Sequence, residues 1–182
     1  MIAVIIAIAG LALCVLTLPG TIELLILTIA GSLPARARRV GSERKVSRIA
    51  VVVPAHNEEG GVANTVASLQ RCRAADSRHS IVVVADNCDD LTAQRAAAAG
   101  ARVIVREDRM RRGKGYVLEY AFGILLGEGF DALAVVDADS AVEPNFLAEI
   151  ERVLAGGADA LQCRYGVLNP GASIRTRVMN VA

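Results

Sequence analysis

Two aspartates one residue apart, Asp137 and Asp139, close an apolar run, Ala132-Leu-Ala-Val-Val136. At a strand end, carboxylates so spaced can offer oxygens to one hard divalent cation such as Mg2+. Such a cation commonly takes one or two protein carboxylates and completes its shell with water and substrate phosphates. Held there, it would neutralise a departing diphosphate and lower the barrier to its loss. The alternative is a polar turn in which Asp139 and Ser140 bond only to nearby backbone. Two more acidic clusters follow apolar runs elsewhere, Pro54-Ala-His-Asn-Glu58 and Asp86-Asn-Cys-Asp-Asp90. Asp86 could accept a hydrogen bond from a nucleobase N–H or a ribose hydroxyl. Asp89, Asp90, Glu58 and Glu59 lie near helix starts, where the helix dipole alone favours a carboxylate. In Arg112-Gly113-Lys114-Gly115 the glycines let the backbone bend, and Lys114 could meet a phosphate or a base. That fragment falls short of a complete phosphate-binding loop. His56 could stack beside a base or simply hydrogen-bond at the rim.

The elements that must position these groups alternate. Arg48–Pro54, Ser80–Ala85, Arg102–Val105 and Ala132–Val136 read as short buried strands, with Pro54 ending the first. Helical periodicity covers 60–75, 91–99, 116–126 and 144–154, and Asp159–Cys163 reads as a fifth strand. Alternation of this kind predicts an α/β fold, a mostly parallel sheet with helices on both faces. Ligands of such sheets bind beyond the carboxyl ends of the strands, where the three acidic clusters fall.

The rest of the chain is different in kind. Of 39 charged side chains only Glu23 lies in residues 1–35, an almost wholly apolar stretch long enough to span a bilayer. Pro19-Gly20 is expected to divide that stretch, leaving one crossing or a tight hairpin. Arg36, Arg38, Arg39, Arg44, Lys45 and Arg48 follow it with only Glu43 opposing, which places the following domain on the cytoplasmic side of the cell (inner) membrane. A cleaved signal peptide is the rival, since Ala35-Arg36-Ala37 has the shape of a cleavage site, but no basic residue precedes the apolar run. The expected division is 1–35 membrane anchor, 36–47 basic linker and 48–182 globular domain. Twenty basic against nineteen acidic side chains speak against a nucleic-acid partner. Cys14, Cys72, Cys88 and Cys163 show neither a C-x-x-C pair nor ligand spacing with His56 or His79, so a zinc site is not expected.

Taken in order, Val51-Val-Val-Pro-Ala-His-Asn-Glu-Glu59, Val84-Ala-Asp-Asn-Cys-Asp-Asp90, Arg112-Gly-Lys-Gly115 and Val135-Val-Asp-Ala-Asp-Ser140 resemble family 2 glycosyltransferases over about residues 46–170. The likeness is nearest to membrane-attached bacterial polysaccharide synthases and related transferases. It implies a Rossmann-like GT-A nucleotide-sugar-binding domain and an inverting transfer of a sugar from a nucleotide-diphosphate sugar, with a UDP-sugar the expected donor. By the resemblance Pro54, Ala55, His56 and Glu58 line the nucleoside pocket and Asp86 contacts the base. Lys114 sits near base or phosphates, and Asp137 and Asp139 form the D-x-D that holds Mg2+ or Mn2+. His56 stands where the family often has Tyr, and Asn87-Cys88 replaces a commoner Asp-Gly-Ser-like turn.

The family's general base is an Asp in a Glu-Asp stretch well beyond the D-x-D, often followed by Gln-x-x-Arg-Trp. Asp159 comes too early to match it, and the chain has no Trp. The expectation is therefore a donor-binding half, truncated or a natural fragment, with the base beyond Ala182. A non-catalytic nucleotide-sugar-binding subunit is one alternative. Another is a haloacid dehalogenase-type phosphatase, whose strand-borne D-x-D resembles Asp137-Ala-Asp139-Ser140 but sits on the first strand rather than the fourth.

Overall fold

The computed structural model describes residues 2–33, 48–72, 79–168, 171–173 and 176. The chain divides into two compact units, Met1–Arg39 and Val40–Ala182. Arg36, Arg38, Arg39, Arg44 and Lys45 of the expected basic cluster lie outside the described residues.

Among the described residues the first unit is a single helix, α1 (Ile2–Ser32), with Pro19 inside it. The expected break at Pro19-Gly20 does not occur. A proline removes one backbone donor, and an apolar helix carries that loss when its other polar groups are satisfied within the segment. Here the hydroxyls of Thr17, Thr21, Thr28 and Ser32 each return to the carbonyl four residues back, at 2.7–2.9 Å. Thirty-one residues at ~1.5 Å each reach roughly 46 Å, beyond a hydrocarbon core of ~30 Å.

The second unit runs β1 (Ile49–Ala55), α2 (Val62–Arg71), β2 (His79–Asp86), α3 (Thr92–Ala98), β3 (Arg102–Arg106), α4 (Lys114–Gly127), β4 (Ala132–Val135) and α5 (Phe146–Ala155). The strands form one sheet in the order β3-β2-β1-β4, every neighbouring pair parallel. Side chains alternate along β1 as the pleat requires. Ile49, Val51, Val53 and Ala55 join a core with Val62, Val66 and Leu69 of α2, Ala96 of α3, and Leu147 and Ile150 of α5. Ala50 and Val52 join Val82 and Val84 of β2 on the other face, under Val117, Ala121 and Leu125 of α4. Full burial of each such valine or leucine is worth ~1.5–3 kcal/mol relative to exposure. Helices thus cover both faces of a parallel sheet, as expected from the alternation.

Pro54 does not end β1 but lies within it, paired with Val84. Val136 N–H donates to Val52 O at 3.0 Å, so by alternation Pro54 turns its nitrogen toward the β4 side. The β1–β4 register stops at Val52↔Val135, so the missing N–H of Pro54 breaks no ladder bond. Helix α4 begins two residues earlier than expected, which makes Lys114 its first residue. Residues 159–163 form no strand. Leu161 and Cys163 are exposed there, so the segment has no apolar face to bury. Arg48, counted with the basic cluster, works inside this unit: it lies 4.3 Å from the Phe130 ring centre and donates to Glu128 O at 2.6 Å.

Candidate functional site

Because all four strands are parallel, their carboxyl ends share one rim. Beyond β1 and β2 the chain turns through Asn57 (φ 55°) and Asn87 (φ 48°), both in the left-handed region that Asn tolerates better than most residues. His56 donates from Nδ1 to the Asp86 carbonyl at 2.7 Å, which leaves Nε2 as an acceptor facing outward from that bond. Ala55 is 4% exposed and packs its methyl in the core, so only its backbone is available to a ligand. Pro54 is half-buried beside it.

The two glutamates part company. Glu59 is tied to α3: its Oε2 accepts from Leu91 N–H at 3.1 Å, and its own N–H donates to Asp90 at 3.1 Å. Glu58 binds Thr92 Oγ1 through its backbone at 2.8 Å, and its half-buried carboxylate accepts no hydrogen bond from the described residues. Partial burial pushes the Asp90 carboxyl up, but hydrogen bonds from the Thr92 hydroxyl, the Thr92 N–H and the Glu59 N–H outweigh it and hold the group below the usual carboxylate range.

Asp86, the last residue of β2, is buried and pairs in register with Arg106, the last residue of β3. Arg106 Nη1 lies 2.5 Å from Asp86 Oδ1. Its Nη2 donates to Asp108 Oδ2 at 3.1 Å and to Arg111 O at 2.9 Å. Asp108 in turn organises the loop between β3 and α4, accepting from the N–H groups of Met110 and Arg111 at 3.1 and 3.0 Å. Asn87 and Asp108 exchange two further bonds, at 2.9 and 3.2 Å. The Arg111 backbone N–H, then its guanidinium, hold the Asp108 carboxyl below its ordinary range. Gly113 then turns with φ 110° and ψ 155°, a conformation essentially reserved for glycine, and launches α4.

Lys114 at the head of α4 reaches across to the end of β4, where its Nζ donates to Asp137 Oδ1. Tyr165 OH lies 3.5 Å from the other oxygen of Asp137. Ala138 between the two aspartates is buried, and its carbonyl accepts the Thr65 hydroxyl of α2 at 2.6 Å. That anchor leaves Asp137 half-buried and Asp139 exposed. Among the described residues no group of three or more His, Cys, Asp or Glu could hold a metal by protein donors alone. Two carboxylates at an open rim instead fit a cation that shares its shell with a diphosphate and water.

The rim therefore gathers His56, Asp86, Lys114, Asp137 and Asp139, all expected from the motifs. Asn57 and Asn87 come with the same motifs, Arg106 opens the basic run that leads to Lys114, and the rim adds Thr65 and Tyr165, which the motifs do not contain. In the sequence Arg106 stands with Arg109, Arg111, Arg112 and Lys114 against Glu107 and Asp108, a run that gives its charge but not its partner.

Residues 50–179 match the profile of Glycosyl transferase family 2. Among characterised proteins, glycosyltransferase AglD of Haloferax volcanii is 36% identical over 70% of this chain and 20% of its own length. The low-salt glycan biosynthesis hexosyltransferase Agl6 of the same organism is 35% identical over 68% of this chain and 29% of its own. The chain thus spans less than a third of the length of either relative. Glucosyl-3-phosphoglycerate synthase of Mycobacterium tuberculosis, solved alone and with UDP, superposes with a TM-score of 0.50 at 29% identity, over 60–61% of this chain and 40–41% of that one. The parallel sheet and its rim are a GT-A-like arrangement, and the chain belongs to glycosyl transferase family 2.

Proposed function

We propose that this chain binds a nucleotide-diphosphate sugar, a UDP-sugar in the first instance, and serves as the donor side of an inverting hexosyl transfer. The observation that carries the reading is that Asp86 and Asp137 stand on one rim, each beside a cation supplied by the neighbouring element. Pro54, the Ala55 backbone, His56, Glu58 and Asp86 hold the nucleoside, while Lys114 meets the diphosphate. Asp137 and Asp139 hold Mg2+ or Mn2+, which supplies charge neutralisation to the leaving diphosphate. Support comes from the synthase in the fold comparison, which has been crystallised with Mn2+, UDP and phosphoglyceric acid. In the complete reaction a base removes the acceptor hydroxyl proton, the oxygen attacks the anomeric carbon, and the diphosphate departs from the opposite face. Lys114 holds its ammonium where that negative charge grows. The base is not assigned to a described residue.

Within this reading residues 1–35 form a membrane anchor, 36–47 a basic juxtamembrane linker and 48–182 the donor-binding domain on the cytoplasmic side of the inner membrane. α1 is long and apolar enough to cross a bilayer. The glycan-synthesis relative makes envelope or extracellular polysaccharide or glycolipid assembly the fitting context. Calorimetric titration of the detergent-solubilised chain with UDP, with and without Mn2+, tests the core of the proposal. UDP binding should strengthen about tenfold or more with Mn2+, and Asp139→Ala should abolish that gain. Nucleotide binding indifferent to both metal and Asp139 would overturn it. Tight binding with no sugar transfer to any acceptor would instead favour a binding subunit.

A further inference from the structure

Arg106 is a buried charge that the donor-binding reading does not use. It is 5% exposed and sits with the guanidinium carbon 5.9 Å from the Tyr120 ring centre. Its fork is split. Nη1 holds Asp86 Oδ1, while Nη2 holds Asp108 Oδ2 and the Arg111 carbonyl. Asp86 Oδ2 accepts from no described residue, so one oxygen of this carboxylate is fixed and the other left for a ligand. A buried ion pair is a poor way to stabilise a core, because the desolvation of both charges offsets their attraction, and two apolar side chains do as well. Nor can a lysine replace this arginine, since one ammonium cannot span two acceptor directions with a planar fork.

We propose that Arg106 is a positioning residue for donor recognition: it fixes one oxygen of the buried Asp86 carboxylate and so aims the other at the nucleoside. The inference rests on the donor-binding reading and adds to it a residue that touches no ligand. It separates two halves of the donor, because Arg106 governs the nucleoside end whereas the diphosphate end belongs to Lys114, Asp137 and Asp139.

The test titrates the detergent-solubilised full chain, in Mn2+, with UDP and separately with inorganic pyrophosphate. Arg106→Lys should weaken UDP about tenfold or more and leave pyrophosphate within about twofold of wild type. Because Arg106→Met strands a buried carboxylate and can unfold the unit, the paired variant Asp86→Leu/Arg106→Met serves as the apolar control. It should fold by circular dichroism, bind pyrophosphate as wild type does, and lose the preference for UDP over pyrophosphate. UDP affinity unchanged in Arg106→Lys, or UDP and pyrophosphate falling together, would overturn the proposal while leaving the donor reading intact. Wild-type protein that binds no UDP at all would remove the donor reading and this inference with it.

Discussion

Asp86 and Asp137 occupy comparable places, each at the carboxyl end of a parallel strand beside a cation from another element, Arg106 of β3 and Lys114 of α4, yet they differ sharply in setting. The side chains of Asp86 and Arg106 are 7% and 5% exposed, whereas those of Asp137 and Lys114 are 41% and 53% exposed. The cause lies in the sheet. β2 is an inner strand, buried over most of its length, while β4 is an edge strand of only four residues, three half-buried and the last, Val135, exposed. A pair near water is weakened by the high local dielectric and can trade partners cheaply. One end of the rim is therefore held in a buried pair, and the other in a pair open to solvent.

The largest effect should come from breaking the buried end. Arg106→Met leaves Asp86 buried without its partner, a defect worth about 3–5 kcal/mol. Replacing both, as in Asp86→Leu/Arg106→Met, should recover most of that loss. Lys114→Met, at the solvated end, should cost under about 1 kcal/mol. Urea unfolding followed by circular dichroism ranks the three. Equal losses in Arg106→Met and Lys114→Met would erase the distinction between the two ends.

A smaller contrast separates two glycines of one motif. Gly113 carries φ 110°, so Gly113→Ala should lose about 1–3 kcal/mol through backbone strain alone. Gly115 has open space around a built Cβ and an ordinary φ, inside the first turn of α4. Gly115→Ala should leave stability unchanged or raise it by up to about 1 kcal/mol. Thermal melts of both variants check this, and a Gly115→Ala loss matching that of Gly113→Ala would mean the turn is not what selects glycine.

How far the residues announced this architecture depends on the kind of signal. The four strands and the helices between them follow from apolar period and turn residues, because burial on a parallel sheet demands those patterns. The placement of the D-x-D, Asp86 and Lys114 on one rim was legible because each falls at or just beyond an element's end. The phosphatase alternative rested on Asp137-Ala-Asp139 alone, and the family match over residues 50–179 replaces it. Ala55 was read as a pocket wall because motif position carries no information about which way a side chain turns, and the pleat sends it inward. Arg106 was legible as part of a basic run, but its pairing was hidden for a related reason. Its partner Asp86 lies 20 residues away and meets it only through strand register. Pro19 was overweighted, since a proline's local cost says nothing of a long apolar segment that meets its other hydrogen bonds internally. The expected strand at 159–163 failed because a short apolar run without a partner face gains too little to order as a ladder.

Acid offers the gentlest probe of the buried end. The Asp108 carboxyl lies below its ordinary value because the Arg111 N–H, then the Arg111 guanidinium and the Met110 N–H, bind its ionised form. A group depressed on folding stabilises the native state above its unfolded pKa, about 3.9 for Asp, and that contribution disappears as pH falls through the lower folded value. Melting temperature should therefore drop as the solution is taken from pH 5 to below pH 4, with the loop before Gly113 loosening as Asp108 gains a proton. Asp108→Asn should start from a lower melting temperature at pH 5 and show a shallower fall, since its amide has no charge to lose. An acid limb just as steep in Asp108→Asn would place the sensitivity elsewhere, at Asp90 or Glu128, whose carboxyls are also held low. Arg102 holds Glu128 at the opposite end of β3 from Arg106, so the Glu128→Gln variant would then tell whether acid loosens the rim or the base of the sheet.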